Sequence, residues 1–107
     1  MQDIVVGALV MAHLHSPKER FWGLLVRLDS VGVVIRGLDL NALEDWLRQE
    51  RDGLERLIAP STQFVPMQRV ERLYLDESTA GFRCFADRYL EACGRDAREA
   101  LAGSGET

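Results

Sequence analysis

The stretch from Arg20 to Leu38 constrains the fold more than any other. It reads Arg-Phe-Trp-Gly-Leu-Leu-Val-Arg-Leu-Asp-Ser-Val-Gly-Val-Val-Ile-Arg-Gly-Leu. Side chains alternate at period two along a strand. Trp22, Leu24, Val26 and Leu28 therefore share one face, and Phe21, Gly23, Leu25 and Arg27 the other. Asp29-Ser30-Val31-Gly32 supplies the turn, because Asp and Ser bond their own backbone and Gly takes the left-handed conformation of short hairpin loops. Val33-Val34-Ile35 is a β-branched run suited to the return strand. The segment predicts a β-hairpin.

The remaining elements follow from the same patterning. Ile4 to Leu14 is apolar on both faces, with Gly7 as a candidate bulge, and predicts a strand that is central or covered by a helix or a second subunit. His15-Ser16-Pro17-Lys18-Glu19 is a polar connector, and Pro17 cannot join a ladder. Gly37-Leu38-Asp39-Leu40 reads as a break. Asn41-Ala42-Leu43-Glu44 has the form of an N-cap followed by an acid, and Leu43, Trp46 and Leu47 continue at helical spacing to a stop at Gly53. Gln63-Phe64-Val65 predicts a short strand halted at Pro66. Met67-Gln68-Arg69 predicts a tight turn, and Val70 to Leu75 another strand. Asp76-Glu77-Ser78-Thr79 offers cap residues for a helix carrying Phe82, Phe85, Ala86, Tyr89, Leu90 and Cys93. Gly94 ends it, a short helix is expected over Arg95 to Ala102, and 103–107 reads as a flexible tail.

Composition bounds the function classes. A chain of 107 residues suits one domain, here 1–102. A net charge of -4 argues mildly against a general nucleic-acid binder. No apolar run approaches the ~18 residues of a membrane span. Met1-Gln2-Asp3 lacks the basic start of a secretory signal, so a soluble, cytoplasmic location without membrane contact is expected. Cys84 and Cys93 fall on opposite faces of one expected helix, about 13 Å apart along its axis. That separation is beyond disulfide reach.

About five strands in the order long strand, hairpin, interruption, two short strands resemble the Sm-like (Lsm/Hfq-type) small β-barrel. Phe21-Trp22-Gly23-Leu24-Leu25-Val26-Arg27-Leu28-Asp29-Ser30 resembles that family's second strand, with Gly23 where a strongly bent strand has no room for a side chain. Phe64 to Leu73 is similar to the fourth strand, turn and fifth strand of bacterial members. The resemblance spans roughly Val5 to Asp76. It implies an α+β fold built on a five-stranded, strongly bent antiparallel Sm-like or SH3-like barrel. A helix is inserted after the third strand and an amphipathic helix closes the chain. It also implies a homo-oligomer, and RNA as a partner contacted through Asp29, Gln68 and Arg69 in a ring. The family's RNA-reading Arg-Gly and Lys-His dipeptides are absent, and Pro66-Met67-Gln68-Arg69 stands in their place.

Other chemistry has thinner support. His13 and His15 lie two apart on the expected first strand, and such imidazoles can ligate zinc given at least one further ligand. Surface histidines at a strand end are the plainer reading. The acid pairs Glu44-Asp45 and Asp76-Glu77 fit helix caps and strand ends rather than acid–base catalysis. No nucleophile elbow, phosphate-binding glycine loop or dinucleotide fingerprint is present. Trp22 and Trp46 read as core or interface anchors. The residues together lead to a non-enzymatic, self-associating binding module without a cofactor, with a protein-protein adaptor as the alternative and a small metal protein or enzyme ranked last.

Overall fold

The hairpin forms as its alternation requires. In the computed structural model, which describes residues 3–53, 55 and 57–103, it comprises β2 (Glu19–Leu28) and β3 (Gly32–Asp39). β1 (Leu9–Leu14) pairs antiparallel with β2 on one side and with β5 (Val70–Leu75) on the other. β4 (Ser61–Pro66) pairs with β3, so the strand order is β4-β3-β2-β1-β5. The helices are α1 (Leu40–Asp52), α2 (Phe85–Cys93) and α3 (Ala97–Gly103). Among the described residues no helix is long and apolar enough to cross a membrane.

The sheet curls. β4 and β5 are its two outer strands, four spacings apart, which is about 19 Å if flat. Yet a single 3-10 turn, Met67–Arg69, joins them, and a turn of that length rises only about 6 Å. Burial tells the same story. Val10, Ala12, Leu14, Phe21, Leu25, Val33, Ile35 and Val65 form one buried cluster with no helical residue in it. That face is covered by the sheet itself. The expected closed barrel is corrected, however: the strand order leaves β4 and β5 unpaired to each other, and the sheet stays open.

Gly23 and Gly37 make the tight bend possible. They stand opposite each other in the β2–β3 register. A Cβ on Gly23 would lie 2.7 Å from the Gly37 Cα, and one on Gly37 would lie 2.6 Å from the Gly23 Cα and collide with the Trp22 carbonyl. Gly23 thus does what its position predicts. Gly37 does not break the chain: β3 runs on to Asp39, and Asp39, not Asn41, caps α1 by accepting from the Asn41 amide at 2.7 Å.

The second face carries the helices. Leu9, Met11, Trp22 and Leu38 of the sheet pack with Leu43, Trp46, Leu47, Tyr89, Ala97, Ala100 and Leu101. Trp22 and Trp46 are both fully buried, their rings 5.9 Å apart, and Trp46 stacks on Tyr89 at 5.0 Å. Both tryptophans are core anchors, as their spacing predicts.

Three expectations fail for definable reasons. Ile4 to Ala8 is not strand. Gly7 has φ +95°, the Ala8 amide donates to the Val5 carbonyl at 3.0 Å, and the chain turns away with Val5 and Val6 exposed. The alternation along β2 slips at a bulge between Leu25 and Arg27, which leaves Val26 and Leu28 partly exposed rather than beneath Trp22. α2 begins at Phe85, because Phe82 closes a small bridge with Thr79 instead. Cys84 is then the N-cap of α2 and Cys93 its last residue, and both thiols are free. Met1-Gln2 and the expected tail from Ser104 lie outside the described residues, and Gly103 belongs to α3.

Candidate functional site

The turn that carries Asp29 and the turn that carries Gln68 and Arg69 meet at one end of the sheet. The Met67 amide donates to the Val31 carbonyl at 2.9 Å, continuing the β3–β4 register past Pro66. The three predicted contact residues therefore lie on neighbouring turns, but two are occupied by their own chain. Asp29 accepts from Arg27 Nε at 2.8 Å and from the Val31 and Gly32 amides at 2.9 and 3.2 Å. The Arg27 bond, with the two amides behind it, holds the Asp29 carboxyl below the usual carboxylate range. Asp29 is the clasp of its turn.

Arg69 is committed more heavily. Its guanidinium donates to the His15 and Pro17 carbonyls at 3.2 and 2.9 Å and pairs with Glu19 at 2.8 Å. The His15 amide returns a bond to the Arg69 carbonyl at 2.9 Å. Arg69 stitches the β1–β2 turn to the 3-10 turn, which gives it a structural task in place of a pore-lining one. Gln68 alone of the three is exposed.

The histidine pair separates. His13 is in β1 and bonds Tyr74 Oη through Nε2 at 2.9 Å, whereas His15 lies past the strand end and bonds Ser16 Oγ at 3.2 Å. Burial lowers the His13 pKa, and the Arg20 and Arg72 charges lower it further. Among the described residues no group of three His, Cys, Asp or Glu side chains is placed to hold a metal.

What the sequence pattern did not reveal is how the edges lie. The alternation of a narrow-pair ladder fixes which amides face out. Because Met67 bonds to Val31, the Thr62 and Phe64 amides point away from β3. The Asp76 amide donates to the Leu9 carbonyl at 2.9 Å, so by the same alternation the Leu73 and Leu75 amides point away from β1. β4, Ser-Thr-Gln-Phe-Val-Pro, carries no charge, and four of its six residues are exposed. Phe64 is 55% exposed. Only a pairing map could have shown this, since strand order is not written in any single segment.

Polar side chains anchor the helical layer behind this site. Asp76 accepts from Trp22 Nε1 at 3.0 Å and from the Phe85 and Ala86 amides at 3.1 and 3.0 Å. Buried Gln49 accepts from the Leu57 and Ile58 amides and donates to the Ile58 carbonyl. Tyr89 donates to Glu50 at 2.7 Å, and Arg95 binds the same carboxylate at 2.9 Å. Burial, with the Glu50 bond second, raises the Tyr89 pKa well above the usual phenol range.

Comparison of the chain with protein-family models, curated proteins and solved structures returns no match. The class that the fold defines is an α+β protein with a curled five-stranded antiparallel sheet, one face covered by three helices.

Proposed function

We propose that the protein is a non-enzymatic binding module that self-associates through its sheet edges, β4 of one copy adding to β5 of the next. The observation that carries this is the uncharged, exposed β4 edge. An unpaired edge is a template for another strand, and isolated proteins blunt it with charge, bulges or cover. β4 has none of these along Ser61 to Val65. β5 presents the complementary row of amides. Two different edges in contact make a head-to-tail interface, which closes into a ring or runs on as a filament. A small barrel of Sm-like type is the architecture this reading favours, because the curl already brings the two edges to one 3-10 turn.

The role of the assembly in this reading is protein-directed scaffolding rather than RNA contact at the turns. Asp29 and Arg69 hold their own backbone, which leaves Gln68 as the exposed member of that trio. Light scattering tests the proposal. The wild-type chain is expected to run as a multiple of the 12.1 kDa protomer. The double change Thr62→Pro, Phe64→Pro removes two outward amides without touching the ladder to β3, and is expected to give a folded monomer. A wild-type monomer at every concentration, or a variant of unchanged mass, refutes edge pairing.

A further inference from the structure

A histidine and two arginines stand in a row across the helix-covered face. His13 in β1 lies directly opposite Arg20 of β2 and directly opposite Arg72 of β5. Period two places His13 on the face of Leu9 and Met11, Arg20 on that of Trp22, and Arg72 on that of Tyr74, so all three project to the same side. Directly opposed side chains on neighbouring strands have Cβ atoms about 5 Å apart, close enough for both arginines to disfavour protonation of His13. Lys18 extends the row from the turn before β2.

Among the described residues no carboxylate pairs with the arginines of this row. Other arginines are matched: Arg69, Arg88 and Arg95 each hold a carboxylate at 2.8 to 2.9 Å. Among the described residues the side chains of Lys18, Arg20 and Arg72 form no hydrogen bond or ion pair. They do so in a protein of net charge -4, where acids are plentiful. A concavity of about 520 Å³ opens beside Lys18 and Arg20, walled by these two, His13 and the start of α1 at Leu40 and Asn41. Two acids also reach its wall, but both are engaged: Glu19 pairs with Arg69 and Asp39 caps α1.

We propose that this concavity binds a small dianionic phosphate, free or as a phosphomonoester, on the guanidinium group of Arg20 and the ammonium of Lys18, with the charge of Arg72 across His13 adding to the attraction. Guanidinium groups match the geometry of phosphate oxygens through paired N–H donors, and Lys adds a point charge. A volume of this size accepts a ligand as large as a nucleotide. Bound phosphate offsets the positive field of these groups. His13 reports it, because Arg20, Arg72 and Lys18 disfavour its protonation, Glu71 alone among the neighbouring charges favours it, and Tyr74 bonds its ring.

The experiment is an NMR titration of the His13 ring with pH, in chloride and then in inorganic phosphate at matched ionic strength, with His15 on the turn as reference. Phosphate is expected to move the His13 titration upward, and a nucleoside monophosphate to do the same. The pair Arg20→Gln, Arg72→Gln is expected to raise the His13 titration in chloride and to weaken phosphate binding about tenfold or more, the loss of charged hydrogen bonds. Arg27→Gln, on the distant turn, leaves both unchanged. Phosphate that shifts His13 no more than chloride overturns the proposal. So does a response to an oligoribonucleotide without one to either small phosphate, which assigns the row to a polymer backbone. The edge-blocked variant Thr62→Pro, Phe64→Pro keeps the phosphate response, so this site and self-association fail separately.

Discussion

The two faces of the sheet are stabilised by different means. The inner face is a cluster of aliphatic side chains with Phe21 as its one ring, covered by the curl of the strands with Ala8 and Met67 at its margin. The outer face joins two tryptophans, a tyrosine and three helices, and side-chain hydrogen bonds pin that layer in place. The inner face is specified by alternation and volume along neighbouring strands. The outer face depends on single polar residues that reach across long stretches of chain. One face should therefore yield to changes of volume, and the other to the loss of one hydrogen-bonding group.

The largest effect is expected where both faces share a constraint. Gly37→Ala drives a methyl into the backbone of Trp22 and Gly23, and no flexible side chain can give way. A loss of roughly 3 kcal/mol or more in denaturant unfolding is expected, with the hairpin itself disrupted. A stable variant with unchanged β2–β3 amide exchange would show that the two backbones are not in contact.

Asp76→Ala sharpens the contrast. It strips fully buried Trp22 of its indole partner and frees two amides at the start of α2. The expected cost is about 2 kcal/mol. Hydrogen exchange should speed up in α2 while β1, β2 and β3 stay protected. Uniform loss of protection would show that the helical layer and the sheet unfold as one unit.

The smallest effect belongs to the inner face. Ile35→Val removes one methylene from a site with 1% exposure, at an expected cost of about 1 kcal/mol. The helical layer should not respond, as read from Trp22 and Trp46 fluorescence. A fluorescence change would show that volume is transmitted through the sheet.

The patterning of the sequence was most informative where a segment interacts with its near neighbours. Val70 to Leu75 is read to the residue, the helix stops at Gly53 and Gly94 hold, and the hairpin turns at Asp29 as expected. Gly32, however, is the first residue of β3 and is not left-handed: a glycine is needed there because a Cβ would collide with the Val65 carbonyl. Ile4 to Ala8 shows the limit. Its apolar alternation is that of a strand, but Gly7 turns the chain away before a ladder can form. The start of α2 shows the same limit, since Asp76 selects it from a distance of nine residues by accepting two amides. Asp29 was legible as a turn residue that bonds its own backbone, whereas Arg69 was legible as a turn residue and its partners were not.

The amino-acid order alone determined the period-two faces, the turn chemistry and the glycine at position 23, because each follows from steric preferences among adjacent residues. Tertiary structure decided which edges stay open, which carboxylates Arg69, Arg88 and Arg95 meet, and that Arg20 and Arg72 flank His13. Those outcomes depend on how strands distant in the chain come side by side, and register across a sheet is set by packing of the whole molecule rather than by any local run.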